Sequence, residues 1–147
     1  MLLKKTLIMM ILFSMTSAAL AAEHTVKLLT TGSNGQTMVM EPGFIKISKG
    51  DTIKFVPSDP SHNAESMITP SGASPFTTPM GKETTVAFNT HGVYLYKCSP
   101  HLALGMIGVV QVDDAVNITE LKAGVEKIKA TVFMNKQRFD EYLSQVK

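Results

Sequence analysis

This 147-residue sequence has one cysteine, no sustained run of basic residues and no long apolar segment beyond its N-terminal stretch. The lone Cys98 cannot form a disulfide within the chain, so it must pair with another chain, stay free or bind a metal. The absence of a basic stripe or an arginine-dense helix gives no support to nucleic acid as a partner. Apart from the N-terminal stretch, no segment is apolar enough to be a membrane span.

The N-terminal residues have the layout of a cleavable export signal. Two lysines precede a continuous apolar run from Leu7 to Phe13, and small residues follow as far as Ala22. The apolar run is too short to span a bilayer, and a small-residue cleavage site follows it, which argues against a retained membrane anchor. We therefore predict a secretory signal peptide over residues 1–22, cut after Ala21 or Ala22, and a periplasmic mature protein.

The predicted mature chain, residues 23–147, is long enough for one domain with its own core. The signal would remove two of the 14 Lys+Arg residues and none of the 12 Asp+Glu residues. The mature protein is therefore formally neutral, although the whole chain carries a formal charge of +2.

Residues 25–112 alternate between short β-like runs and turn signals. Within the runs the apolar residues recur with a period of two, as in Ile45 and Ile47 or Ile53 and Phe55. This spacing predicts an all-β fold, an antiparallel Greek-key β-sandwich of about eight strands. The predicted strands are Thr25–Leu29, Thr37–Met40, Phe44–Ser48, Thr52–Val56, Thr84–Phe88, Val93–Lys97 and Met106–Val112.

Two segments depart from the strand pattern. Residues 59–82 are rich in Pro, Ser, Thr and Gly, which predicts a long loop with room for one short strand or helical turn. After Asp114 the pattern becomes helical: Asn117 is a candidate N-cap, and Glu120 would complete a capping box. We predict two short amphipathic helices within residues 117–147 that pack on the sandwich.

Residues with metal-binding side chains cluster around Cys98. His101 follows three positions after it and Met106 five positions after that, in a span that joins two predicted strands. A second imidazole, His62, ends the run that leaves the strand 52–56. Two imidazoles, one thiolate and a weak axial thioether are the ligands of a blue-copper electron-transfer centre. The sulfur donors favour Cu(I), whereas imidazole suits both oxidation states.

Other chemistries fit these residues less well. Structural zinc sites favour several cysteines and seldom use methionine. A thiol nucleophile would need a histidine far away in sequence and a substrate cleft. A lone Cys-x-x-His can also be a buried core thiol beside an ordinary loop histidine, but Met106, the upstream His62 and the all-β pattern favour copper over that alternative.

The sequence resembles the cupredoxins, and most closely the pseudoazurins. The similarity covers nearly all of the predicted mature chain: "MVMEPGFIKISKGDTIKFVPSDPSHNAES" is similar to the first half of these proteins and "GVYLYKCSPHLALGMIGVVQVDD" to the second, with two helices after the sandwich. The resemblance implies that one copper ion, alternating between Cu(I) and Cu(II), is bound by four ligands: His62, Cys98, His101 and Met106.

The same resemblance implies roles for two neighbouring residues. The amide of Asn63 is expected to hydrogen-bond the thiolate and to tie together the two loops that carry the ligands. Pro100 lies between Cys98 and His101 and has no N–H to offer the sulfur.

The resemblance implies a one-electron carrier rather than an enzyme, because four ligands leave no open coordination position for a substrate. Its expected partners are larger redox proteins, among them a nitrite reductase or another denitrification enzyme, which would dock on an apolar patch around His101. A periplasmic copper carrier that delivers the metal without redox cycling is the alternative. We expect a monomer.

Pseudoazurins carry a ring of lysines around this patch, and the sequence matches that ring only in part. Lys97 matches, but Thr77 and Thr78 stand where a basic residue is expected, and only Lys82 is nearby. With a formally neutral mature chain, we expect weak electrostatic steering of partners.

Overall fold

The computed structural model describes residues 20–147. Most of the predicted signal peptide, residues 1–19, lies outside the described residues. The eight strands found there are β1 (Glu23–Thr31), β2 (Thr37–Glu41), β3 (Phe44–Ile47), β4 (Thr52–Pro57), β5 (Glu65–Ile68), β6 (Thr84–Ala87), β7 (Gly92–Lys97) and β8 (Ile107–Val112). Two helices follow, α1 (Ile118–Lys129) and α2 (Gln137–Leu143).

The strands form two four-stranded sheets, with the orders β2-β1-β4-β6 and β3-β8-β7-β5. Side chains from both sheets share one apolar core, to which β1 contributes Val26 and Leu28 and β4 contributes Ile53 and Phe55. These pairs are separated by two positions, as expected for strands with one buried face. The predicted sandwich, its period of two and its count of about eight strands are confirmed.

The prediction of a wholly antiparallel sandwich is wrong at two pairings. Strand β1 pairs with β4 in parallel, and β3 pairs with β8 in parallel, whereas the other four pairings are antiparallel. The reason is that β3 belongs to the other sheet, so the chain leaves the first sheet after β2 and returns as β4. A parallel pair requires such a crossover connection.

Strands β7 and β8 are buried on both faces. All six residues of β8 are buried, as are the first five of β7. One face lies in the sandwich core, and the other packs against α1 and α2, including Leu121, Val125 and Phe139. This double burial explains the nearly continuous apolar sequence of these strands and confirms that the two helices pack on the sandwich. Within residues 20–147, no helix is both long and apolar enough to cross a membrane.

Asn117 occupies the predicted N-cap position of α1, but its side chain does not cap the helix. Instead its Oδ1 accepts from the Val93 N–H at 2.8 Å, and its Nδ2 donates to the Val93 carbonyl at 2.9 Å. Strand β5 follows β7 only as far as Leu95. The buried backbone groups of Val93 therefore have no strand partner on that side, and the amide of Asn117 takes its place.

Candidate metal centre

The fold brings three of the predicted ligands together at one end of the sandwich. His62 lies in the loop after β4, Cys98 directly follows β7, and His101 lies on a short 3₁₀ helix, Ser99–Leu104. The Cys98 Sγ lies 3.7 Å from the Nδ1 of His62 and 3.5 Å from the Nδ1 of His101. One donor atom from each of the three residues lies within 4.8 Å of the others. Residues 36 positions apart in sequence thus meet at one point.

The segment from Cys98 to Met106, which we call the ligand loop, closes on itself through backbone hydrogen bonds. The N–H of His101 donates to the Cys98 carbonyl at 3.1 Å, and the N–H of Cys98 donates to the Met106 carbonyl at 2.9 Å. Gly105, with a φ of +74°, makes the turn that ends the 3₁₀ helix. Met106 therefore returns beside Cys98, and both side chains are buried in the sandwich core.

These donors fit a copper ion. Metal–thiolate and metal–imidazole bonds of about 2.3 and 2.0 Å, at angles of roughly 110–120°, place the donor atoms about 3.5–3.7 Å apart. The sulfur–nitrogen separations of 3.5 and 3.7 Å agree with that requirement. Cys98 is fully buried, yet its sulfur faces two imidazoles rather than only apolar side chains. The alternative of an ordinary core thiol does not account for that arrangement.

A carboxylate that the sequence analysis did not single out orients His62. The Nε2 of His62 lies 2.9 Å from the Thr30 hydroxyl and 3.2 Å from the Asp59 carboxylate. With the ring proton on Nε2, the lone pair of Nδ1 points toward Cys98. Carboxylate–histidine pairs of this kind fix the tautomer and the ring orientation at metal sites. The available sequence signal for Asp59 was its position three residues before His62, one of the predicted ligands.

Burial favours the neutral forms of His62 and Cys98, whereas hydrogen bonds keep Asp59 charged. Desolvation lowers the pKa of His62, which favours the neutral imidazole that binds metal. Burial raises the pKa of the Cys98 thiol, and the backbone N–H groups of Asn63 and His101 partly oppose that shift. Hydrogen bonds from Ser61 and Thr30 hold the pKa of Asp59 below its usual range. The partner of His62 is therefore an anion at neutral pH.

Asn63 ties the two ligand-bearing segments together, as predicted. Its Oδ1 accepts from the Ser99 N–H at 2.8 Å, and its Nδ2 donates to the Ser99 hydroxyl at 2.9 Å. The expected hydrogen bond from Asn63 to the Cys98 sulfur comes from the backbone N–H of Asn63, whereas its side-chain amide bonds Ser99 and not the sulfur. The Ser99 hydroxyl also donates to Glu65 at 2.5 Å. The loop after β4 is thus fastened to the ligand loop directly beside the sulfur.

The outer face of the ligand loop is apolar. His101 is half-buried, as are the three residues that follow it, and Pro100 is exposed. The connection between α1 and α2 adds Phe133, which is 83% exposed, and Met134, which is 52% exposed. Their backbone lies against the ligand loop, because their N–H groups donate to the Ala103 carbonyl at 2.8 and 3.2 Å. Sequence analysis missed them, although an apolar pair between two helices was a visible signal.

The C-terminal segment also occupies the carbonyl groups of the ligand loop. Three successive carbonyls, at residues 103–105, accept from the Phe133 N–H at 2.8 Å, the Asn135 side chain at 2.8 Å and the Arg138 guanidinium at 2.9 Å. The two helices therefore do more than cover the sheet, because they hold the end of the loop that leads to Met106.

Positive charge around this face is sparse. The ammonium of Lys97 lies 3.5 Å from the Glu65 carboxylate, which offsets its charge. Thr78 is buried, with its hydroxyl accepting from the Ala64 N–H at 2.9 Å, and Thr77 is exposed but uncharged. Lys82 is exposed.

Comparison with known proteins gives consistent matches. The family model for copper-binding proteins of the plastocyanin/azurin family matches residues 26–113. A pseudoazurin of Paracoccus pantotrophus is 38% identical over 92% of this chain and 91% of its own length. One of Methylorubrum extorquens is 37% identical over 89% of this chain and 86% of its own length. The crystal structure of native pseudoazurin from Hyphomicrobium denitrificans superposes with a TM-score of 0.74 at 39% identity, covering 85% of this chain and 98% of that chain.

These matches extend well beyond the ligand loop. The family model covers residues 26–113, the pseudoazurins align with 85–92% of the chain, and more than a third of the aligned residues are identical. Pseudoazurins are electron-transfer cupredoxins and not enzymes. The chain therefore belongs to the copper-binding plastocyanin/azurin family, the cupredoxins, within which it groups with the pseudoazurins as a blue-copper electron carrier.

Proposed function

We propose that four side chains hold the copper ion of this electron carrier: His62, Cys98, His101 and Met106. The observation that supports this most strongly is the convergence of one thiol sulfur and two imidazole nitrogens, each 3.5–3.7 Å from the sulfur, at the buried end of the sandwich. When bound, copper supplies a one-electron couple between its cuprous and cupric states.

The side chains around the site keep its donors in place. Contacts of the His62 Nε2 with Thr30 and Asp59 orient the His62 ring. The backbone hydrogen bonds that close the ligand loop fix Cys98 and Met106 relative to each other. A donor set held in this way changes little between the two oxidation states, which favours rapid electron transfer. The imidazole of His101 is half-buried and its Nδ1 lies 3.5 Å from the Cys98 sulfur, so it is the route we propose for electrons.

We further propose that redox partners dock on the apolar face around His101, here enlarged by Phe133 and Met134. A small apolar face without strong charge suits brief encounters. The similarity to pseudoazurins makes a periplasmic nitrite reductase the first partner to test. Stopped-flow oxidation of the reduced protein by a copper nitrite reductase with nitrite should be fast. Phe133→Ser should slow it more than Val116→Ser, because Val116 is also an exposed apolar residue, at 69% against 83% for Phe133, but does not belong to the ligand loop or to the connection between the helices.

We also propose that the chain is exported and cut after Ala21. The Ala22 N–H donates to Asp51 at 2.8 Å, and the Ala22 carbonyl accepts from the Thr52 N–H at 2.9 Å. A mature chain that begins at Ala22 keeps both contacts, whereas one that begins at Glu23 loses them. Mass spectrometry of the periplasmic protein should give the mass of residues 22–147. A mass that includes the N-terminal stretch would contradict export with cleavage.

Copper loading tests the proposed ligands directly. Addition of Cu(II) to the purified protein should produce the intense visible absorption of a thiolate–copper bond. Cys98→Ser should abolish the colour, and His101→Ala should alter or abolish it. His91→Ala is the matched control, because His91 is 50% exposed and pairs with Asp113 away from the site. A colourless, readily exchanged Cu(I) site would instead indicate a metal-delivery protein.

A further inference from the structure

A buried arginine lies against the end of the ligand loop. Arg138, on α2, is 1% exposed. Its Nη1 donates to the carbonyls of Met38 at 2.6 Å and Gly105 at 2.9 Å, and its Nη2 donates to the carbonyl of Thr37 at 2.9 Å. The Nε group has no hydrogen-bond partner. Among residues 20–147, no carboxylate forms an ion pair with this guanidinium.

Such an arrangement is costly unless the charge is compensated. A buried charge usually pairs with an opposite charge, because desolvation disfavours the ionised form. Here the compensation comes from the dipoles of three backbone carbonyls, and burial lowers the pKa of Arg138. An apolar side chain of similar size would avoid the desolvation cost, but it would take the guanidinium donors away from the carbonyls of Thr37, Met38 and Gly105.

The carbonyl of Gly105 connects Arg138 to the proposed axial ligand. Gly105 and Met106 share one peptide group, and that group is held on both sides. Its C=O accepts from Arg138, while its N–H, that of Met106, donates to the His101 carbonyl at 3.2 Å. The Gly105 carbonyl also accepts from the Ile107 N–H at 3.1 Å. The peptide therefore has little freedom to rotate.

We propose that Arg138 is a positioning residue for the copper centre, acting through Gly105 on the thioether of Met106, and that its buried charge favours the cuprous state. This inference depends on the proposed ligand set. The axial ligand tunes the potential of blue-copper sites, so an arginine that fixes its backbone controls that contact. A nearby positive charge also stabilises the ion of lower charge, because screening by water is weak inside the protein.

Two substitutions separate geometry from charge. Arg138→Lys keeps the charge but loses the planar fork that reaches several carbonyls at once, and Arg138→Met removes both. Lys136→Met is the matched control, since Lys136 is an exposed cation immediately before α2. Each copper-loaded protein is examined by voltammetry and visible absorption. The metal-free form is examined by ¹H–¹⁵N NMR, in which the chemical shift of the Met106 amide is sensitive to the conformation of the ligand loop.

We expect Arg138→Met to shift the equilibrium about tenfold toward the cupric form, which lowers the one-electron potential by about 59 mV. Arg138→Lys should keep most of the potential but change the visible band intensities and shift the Met106 amide resonance. Lys136→Met should change none of these. If both Arg138 variants give the potential, spectrum and Met106 resonance of the control, the proposal is wrong.

Failure of Arg138→Met to fold would leave Arg138→Lys to decide, and an unshifted Met106 resonance in that variant would overturn the proposal. The NMR measurement needs no metal. A wild-type protein that takes up copper without blue colour would therefore contradict the ligand set, while the metal-free spectra would still test the contact between Arg138 and the loop.

Discussion

Replacement of Asn63 by alanine should loosen the metal centre by an amount that the structure allows us to calculate. The substitution removes two well-formed hydrogen bonds to Ser99, at 2.8 and 2.9 Å, and a longer one to the Thr78 carbonyl at 3.4 Å. Each good bond contributes about 0.5–1.5 kcal/mol. Ser99 is exposed, so water can replace part of what it loses. We expect a loss of about 2 kcal/mol in the free energy of unfolding.

Urea unfolding of the metal-free protein measures this loss. With an m-value of about 2 kcal/mol/M, the midpoint should fall by about 1 M. Asn89→Ala is the control, because Asn89 is an exposed asparagine in a turn remote from the ligands. A double-mutant cycle with Ser99→Ala should give a coupling of about 1 kcal/mol, since the two side chains are in contact.

The copper-loaded protein supplies the second measurement. Because Asn63 fastens the segment that carries His62 to the ligand loop, the alanine variant should also lose copper faster to a chelator than the Asn89 control. The reasoning is refuted if the alanine variant unfolds within about 0.5 kcal/mol of that control and keeps its copper equally long.

Four further outcomes follow from the structure. Pro100→Ala should add a backbone N–H facing the thiolate and raise the reduction potential in voltammetry, and an unchanged or lower value would contradict this. Asn117→Leu should destabilise the protein to urea by about 2–4 kcal/mol, because it leaves both buried backbone groups of Val93 unpaired, and a loss under about 1 kcal/mol would contradict it. Hydrogen bonds lower the pKa of Asp51 from 3.8 to about 2, and the bond from His24 has the largest effect. Its contribution to stability should therefore be complete above about pH 4 and vanish as the pH falls through 2, so the difference in unfolding free energy from Asp51→Asn should shrink over that range. Partner association should vary little between low and moderate salt, and a steep fall in its rate would show that steering charges have been underestimated.

The sequence predicted the strands, and the closeness of Cys98 and His101, because both depend on local patterns. Alternating apolar residues such as Ile53 and Phe55 identify a strand with one buried face, and both are buried as expected. The spacing of Cys98, His101 and Met106 lies within one loop, so their proximity follows from chain connectivity. His62 is distant in sequence, so it was singled out by its residue type and its position after a strand, and the resemblance to a known family then implied its role as a ligand.

The features that the sequence did not reveal depend on contacts between distant segments. Asn117 before a helix is an ordinary capping signal, and nothing local shows that Val93 lacks a strand partner. The parallel pairing of β1 with β4 depends on β3 joining the other sheet. Arg138 has the sequence context of an exposed helical cation, and its burial becomes evident only when Thr37 and Gly105 are placed beside it.

The hydrogen bonds from the C-terminal segment to residues 103–105 have a consequence for any attempt to reduce the protein to a minimal copper module. A chain truncated after β8 would keep every proposed ligand and the whole sandwich, yet three consecutive peptide carbonyls would lose their donors from the C-terminal segment, and only that of Gly105 would keep another, the Ile107 N–H at 3.1 Å. It would also expose the outer face of β7 and β8 to water. The C-terminal segment is thus part of the structure that supports the proposed copper site, and it could not be removed or exchanged as an independent unit.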